Sequence, residues 1–238
     1  MNIIIERIVN GFILDLNKLN RGNIHSVYVY GSAVGRGYIH KRSDINVLVI
    51  LKDINSSFLE NNSKLVKKYA KKYKLIPLFL TDRHIQTSQD VFPMEFTEIK
   101  DAYILLHGDD ILKDLKIDMA NIRLQCEQLI KGQLIRIYQI LLEIGSNKRK
   151  KLKLLINSIG NIAPALRAML RITGKTPPSI KKDMFDQFAK EYNIDAGAFL
   201  EVLKIKESKG KAEDVNALIT NYIKALQDIA GVVDGLQV

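Results

Sequence analysis

The 238-residue sequence has one cysteine, Cys126, and no apolar run of the roughly 18 to 20 residues needed to span a bilayer. A lone cysteine cannot close an internal disulfide, so a reducing compartment is expected, with the thiol packed inside a helix rather than acting as a nucleophile. The opening MNIIIERIVNGF places Glu6 where a secretory leader needs an uninterrupted apolar core. The expected address is cytoplasmic, with no membrane partner. Internal repeats and low-complexity segments are also lacking. Hydrophobic residues at 47% and charged residues at 26% suit an ordinary globular chain of one large domain or two small ones.

Acidic residues are scarce in one region. Residues 116–174 contain eleven Lys or Arg and three acids, Asp118, Glu127 and Glu143, so this segment supplies +8 of the formal net charge of +10. Such a surface suits phosphate groups on a nucleotide or a nucleic acid. The run NKRKKLK, residues 147–153, reads as a solvated helix face.

Apolar spacings of three and four in residues 2–20 predict an amphipathic helix. SVYVYG and INVLVIL are β-branched or aromatic runs suited to buried strands. Residues 56–73 return to helical spacing, with Ser56 or Ser57 as N-cap, and residues 74–81 are strand-like, with Pro77 marking an edge or a bulge. A short helix or loop, DRHIQTSQDV, precedes FPMEFTEI and the strand-like AYILLHG. After Asp118 strand signals stop, and five helical segments follow, punctuated by glycines and by Pro177-Pro178. Gly160 and Pro164 predict a kink in the second of these helices.

The chemistry concentrates in SVYVYGSAVGRGYIHKRSDINVLVIL, residues 26–51. Alternate strand positions share a face, so residues 44 and 46 project together while Ile45 turns to the core. Two oxygen ligands one pleat apart can share a hard cation. A Walker P-loop is excluded, since GSAVGRG is not followed by Gly-Lys-Ser/Thr.

An apolar strand, Gly31-Ser32, a short connection and an acid-x-polar triplet opening the next strand resemble the signature of the DNA polymerase beta-like nucleotidyltransferases. FPMEFTEIKDAYILLHGDDIL and CEQLIKGQLIRIYQ look like bacterial predicted nucleotidyltransferases of this length, and the helix-rich second half matches the two-domain aminoglycoside nucleotidyltransferases. The resemblance implies an α/β (α+β) nucleotidyltransferase-like mixed-sheet domain over residues 1–117 and an all-α helical bundle over 118–238. It also implies a nucleoside triphosphate, Mg²⁺ or Mn²⁺ as cofactor, and transfer of a nucleoside monophosphate to an unknown acceptor.

On that resemblance Gly31, Ser32 and Ser43 seat the phosphates, Asp44 ligates metal, and Glu95 ligates metal or activates the acceptor hydroxyl. Asn46 stands where the family has a second aspartate; its amide oxygen can ligate but brings no charge. The strand over residues 74–81 contains no acid, and Asp82 lies at its end. Glu95 is therefore the expected third carboxylate, on a strand where Glu95, Thr97 and Ile99 share one face and Glu98 takes the other. Arg36, Lys41 and Arg42 fit triphosphate neutralisation or a solvated loop. Arg167 and Arg171, four apart on one helical face, fit nucleotide or acceptor contact or an ion pair. His84 and His107 lack a partner at ligand spacing. The alternative function is a degenerate, antitoxin-like nucleotide-binding module without turnover, and nucleic-acid binding through residues 116–174 ranks behind both.

Overall fold

The computed structural model describes residues 2–34, 43–178, 180–208 and 210–238. The chain divides into two compact units, Met1–Ile117 and Asp118–Val238.

In the first unit, α1 (Ile3–Leu19) starts where the Asn2 side chain accepts from the Ile4 N–H at 2.8 Å, and its inner face buries Ile5, Val9, Phe12, Ile13 and Leu16. Strand β1 (Ile24–Tyr30) runs into a 3₁₀ turn, Gly31–Ala33. β2 (Ile45–Leu51), α2 (Ser56–Tyr73), β3 (Leu75–Thr81), α3 (Asp82–Thr87), α4 (Pro93–Asp101) and β4 (Tyr103–Gly108) follow. The N-cap of α2 is Asn55 rather than either serine: its backbone is extended and its side chain accepts from the Phe58 N–H at 2.9 Å, which places both serines inside the first turn.

The sheet order is β3-β2-β1-β4, with β1 antiparallel to both neighbours and β2 parallel to β3. Val27, Val29, Val47, Val49 and Leu51 pack under α1 and α2. Tyr28, Leu48 and Ile50 pack on the other face against Ile85, Phe96, Ile99, Leu112 and Leu115. With both faces covered, β2 is apolar on both sides from Val47 to Leu51 instead of alternating, and its one polar residue, Asn46, sits at the strand's start. β3 is an edge strand, so the missing N–H of Pro77 is tolerated there.

Residues 95–99, expected as a strand, lie in helix α4. Pro93 occupies the first helical position, which its fixed φ favours, and Met94, Phe96 and Ile99 are buried at helical spacing. Phe96 and Ile99, three apart, cannot share a strand face, whereas on one helical face both reach the core. The strand-face grouping of Glu95, Thr97 and Ile99 is thereby overturned.

The second unit is helical: α5 (Met119–Ile144), α6 (Lys148–Ile172), α7 (Lys181–Tyr192), α8 (Gly197–Ser208) and α9 (Val215–Gly235). Helix α6 remains helical through Gly160 and Pro164. Cys126 is wholly buried beside the Ala165 carbonyl, and burial pushes its thiol up to about 12, as expected of a packing cysteine. Two buried hydroxyls, Ser158 and Tyr222, bond each other at 2.6 Å across α6 and α9, so neither enters the core unpartnered.

Candidate functional site

The end of the sheet where β1 stops and β2 begins gathers the motif residues. Gly31 has φ of +72°, in the left-handed region that other residues enter only at a cost. Its N–H donates to the Ala102 carbonyl at 2.9 Å, and the Val34 N–H returns to the Gly31 carbonyl at 3.0 Å. The turn is thus tied to the start of β4 and closed on itself. A Cβ at Gly31 would sit 3.5 Å from the Asn46 amide nitrogen, so the Asn46 side chain lies against the turn. The requirement for glycine comes from φ, since that contact alone is ordinary.

The antiparallel register ends by pairing Tyr30 with Asn46, so the Gly31 turn leaves β1 at the sheet end where Asp44 leads into β2. Ser32 and Asp44 are exposed, Ser43 and Asn46 half-buried, and Ile45 wholly buried. The Ile45 N–H bonds the Lys74 carbonyl at 2.9 Å, which fixes the start of β2 against β3. Gly31, Ser32, Asp44 and Asn46 are therefore brought to one sheet end. Arg36, Lys41 and Arg42 lie outside the described residues.

Across the sheet at the level of Asn46 the row reads Ile76, Asn46, Tyr30, Tyr103. It contains one amide and no acid. Ile76 is 48% exposed, an aliphatic side chain where a carboxylate would complete a ligand set. The Tyr103 hydroxyl donates to the Asp110 carboxylate at 3.0 Å; burial first, then that bond, raises its pKa to about 12.

Helix α4 packs beside the 3₁₀ turn. Glu95 is exposed in its first turn. Glu98, one turn further on, acts on Tyr30: burial first, then the Glu98 charge, raises the tyrosine pKa. Glu98 was missed because a strand reading turns it away from Glu95, whereas a helix puts the two on neighbouring turns of one side. The proline at 93 and the 96/99 spacing were the signals that could have found it.

Among the described residues no three His, Cys, Asp or Glu side chains form a group able to hold a metal ion. One carboxylate, one amide and one hydroxyl fit a cation that arrives on a triphosphate and keeps phosphate and water as its other ligands. They do not fit a pair of ions held by protein carboxylates.

Arg167 and Arg171 are half-buried on α6. The pKa of Lys181 at the start of α7 is lowered by burial, then by the charges of Lys206 and Arg167, so Arg167 belongs to a positively charged corner of the second unit. His84 stacks on Phe92, ring centroids 6.4 Å apart.

No family model matches the sequence, and no curated protein is similar to it. Among solved structures the chain is similar to the spectinomycin adenyltransferase AAD(9) from Enterococcus faecialis, solved with ATP and spectinomycin. The identity is 13% and the TM-score 0.58, over 93% of this chain and 98% of that one. It also aligns with a nucleotidyltransferase-like protein from Exiguobacterium sibiricum 255-15 at 11% identity and a TM-score of 0.45, over 95% of this chain and 74% of that one. The chain shares the fold of the AAD(9) structure.

Proposed function

We propose that the first unit binds a nucleoside triphosphate with its Mg²⁺ at the Gly31 turn and transfers the nucleoside monophosphate to an acceptor hydroxyl. The observation that carries this reading is the left-handed Gly31 turn seated against Asn46, with Asp44 at the same sheet end, on a nucleotidyltransferase fold. Ser32 presents a hydroxyl to phosphate, Asp44 anchors the cation, and Asn46 offers its amide to cation or phosphate. Magnesium, when bound, supplies neutralisation of triphosphate charge and polarisation of the phosphorus under attack. Glu98 and Glu95 on α4 are the carboxylates available to accept the acceptor proton. Arg36, Lys41 and Arg42 are retained as cations for phosphate. The ATP and spectinomycin in the AAD(9) structure make ATP the first nucleotide to test and a small polyhydroxylated molecule the first acceptor class.

A second reading, nucleotide binding without turnover, is favoured by the row Ile76, Asn46, Tyr30, Tyr103, which offers no carboxylate beside Asp44. Calorimetry with ATP, GTP, CTP and UTP, each with and without Mg²⁺, together with pyrophosphate release, separates the two. Metal-enhanced binding with release of pyrophosphate supports transfer. Binding without release, whatever the acceptor supplied, supports the second reading. Absence of nucleotide binding rejects both.

A further inference from the structure

Helices α1 and α2 cover the sheet face opposite to Tyr30 and Asn46. A groove of about 790 Å³ follows them. Its floor is apolar, from Ile4, Ile8 and Tyr73, and its rim carries Arg7, Lys71, Lys72 and Lys74 with no acidic side chain among the lining residues. The imbalance runs along the whole of α2, which holds Lys64, Lys67, Lys68, Lys71 and Lys72 against the single acid Glu60. Lys68 is met by Asp15 at 3.3 Å, and Glu6 lies on the neighbouring outer face of α1.

The groove also has aliphatic side chains that the fold does not need inside. Ile3 is 82% exposed and Ile4 52%, although α1 already buries Ile5, Val9, Phe12, Ile13 and Leu16 on its inner face. Gly11 leaves the backbone bare between them and the next turn, and a Cβ there would meet the Tyr69 hydroxyl oxygen at an ordinary 3.4 Å. The rim cations Arg7, Lys71 and Lys72 suit an anionic partner, and the protruding aliphatics suit hydrocarbon. A basic amphipathic surface of this kind suits a charged lipid interface. Nucleic acid fits less well, because single strands are held by exposed aromatics. Tyr69 is 6% exposed, packs edge-on to Phe12 at 5.1 Å and donates its hydroxyl to Asp15 at 3.1 Å, and half-buried Tyr73 packs on Tyr69 at 5.6 Å with the Lys72 ammonium over its ring at 5.0 Å, so neither offers a free face for a base.

We propose that the α1–α2 face docks on an anionic bilayer surface, with Ile3 and Ile4 entering the interface and Arg7, Lys71 and Lys72 meeting lipid phosphate. No helix among the described residues is long and apolar enough to cross a membrane, so the contact is peripheral. Within the first unit, Asn46 and Tyr30 lie on the opposite sheet face. The inference does not depend on the proposed function.

Sedimentation of the full chain with vesicles tests it, comparing phosphatidylcholine with a mixture of phosphatidylcholine and phosphatidylglycerol at low and high salt. Binding to the mixed vesicles alone, weakened by salt, is expected. Lys71→Gln with Lys72→Gln should weaken that binding about thirtyfold, from the contribution of each basic residue near an anionic surface. Ile3→Ser with Ile4→Ser should weaken it about tenfold or more through lost apolar burial. Both pairs alter exposed side chains, so melting temperatures should hold; if one pair lowers stability, the other still decides. Failure to bind mixed vesicles, equal binding to neutral ones, or indifference to both pairs overturns the proposal. So does binding that short RNA abolishes while the isoleucine pair leaves it unchanged, which assigns the face to nucleic acid.

Discussion

Replacing Asn46 by aspartate puts a second carboxylate one pleat from Asp44 and against the Gly31 turn. The two charges would stand about 7 Å apart, from the rise of a strand. Their repulsion then lies between about 0.6 kcal/mol in water-like surroundings and about 2.4 kcal/mol at an effective dielectric near 20. Asp44 is exposed and Asn46 half-buried, so a cost of about 1 kcal/mol is expected without ligand. With Mg²⁺-ATP in excess the sign reverses. A charged ligand in place of an amide should tighten metal-nucleotide binding about tenfold, which adds roughly 1.4 kcal/mol of ligand-dependent stability. At about 2 to 4 °C per kcal/mol, Asn46→Asp should gain roughly 3 to 6 °C more from Mg²⁺-ATP than wild type does. Melting curves of both proteins with buffer, Mg²⁺, ATP and Mg²⁺-ATP measure this, and pyrophosphate release should rise in parallel. If the Mg²⁺-dependent gain in Asn46→Asp is no larger than in wild type, residue 46 does not face a bound cation and the proposed geometry is wrong.

Gly31→Ala forces a left-handed φ on a residue with a Cβ, costing about 1 to 2 kcal/mol; melting should fall and nucleotide binding weaken, and an unchanged protein would show that the turn relaxes freely. Glu98→Gln should reduce pyrophosphate release more than Glu95→Gln, because Glu98 is the acid whose charge reaches Tyr30; the opposite order in a rate assay would reinstate Glu95. Bonds from Lys68, then Tyr69, hold the Asp15 carboxyl below its ordinary 3.8, so its stabilisation is fully present above that value and is lost as pH falls through the lower folded one. At neutral pH Asp15→Asn should therefore melt slightly below wild type, by under about 1 kcal/mol for so exposed a pair, and the gap should close in acid. A gap independent of pH would locate the effect elsewhere. Tyr222→Phe removes the 2.6 Å bond to Ser158, whose hydroxyl keeps the Leu155 carbonyl at 2.9 Å. A loss of about 1 kcal/mol is expected in denaturant unfolding, and a neutral result would mean the pair contributes nothing net.

The sequence alone determined the strands, the helices with unambiguous period and the sheet end that carries the motif. INVLVIL suits a strand covered on both faces, and Gly31 between two such runs marks a turn, because these signals are local and set by side-chain period and backbone sterics. The same local rule placed Asn46 beside Asp44. What it could not settle was Pro93–Asp101, a short stretch in which apolar residues satisfy a period of two nearly as well as one of 3.6; packing of Phe96 and Ile99 against Tyr28 and Leu48 decided for the helix. The strand order and the parallel pairing of β2 with β3 were equally out of reach, since partners far apart in sequence are chosen by which arrangement buries both faces. Only that pairing sets Ile76 beside Asn46, and only the helical turn of α4 brings Glu98 toward Tyr30. The residues proposed to seat a nucleotide could thus be read from their neighbours in the chain, while the acids proposed to act on it depend on neighbours in space.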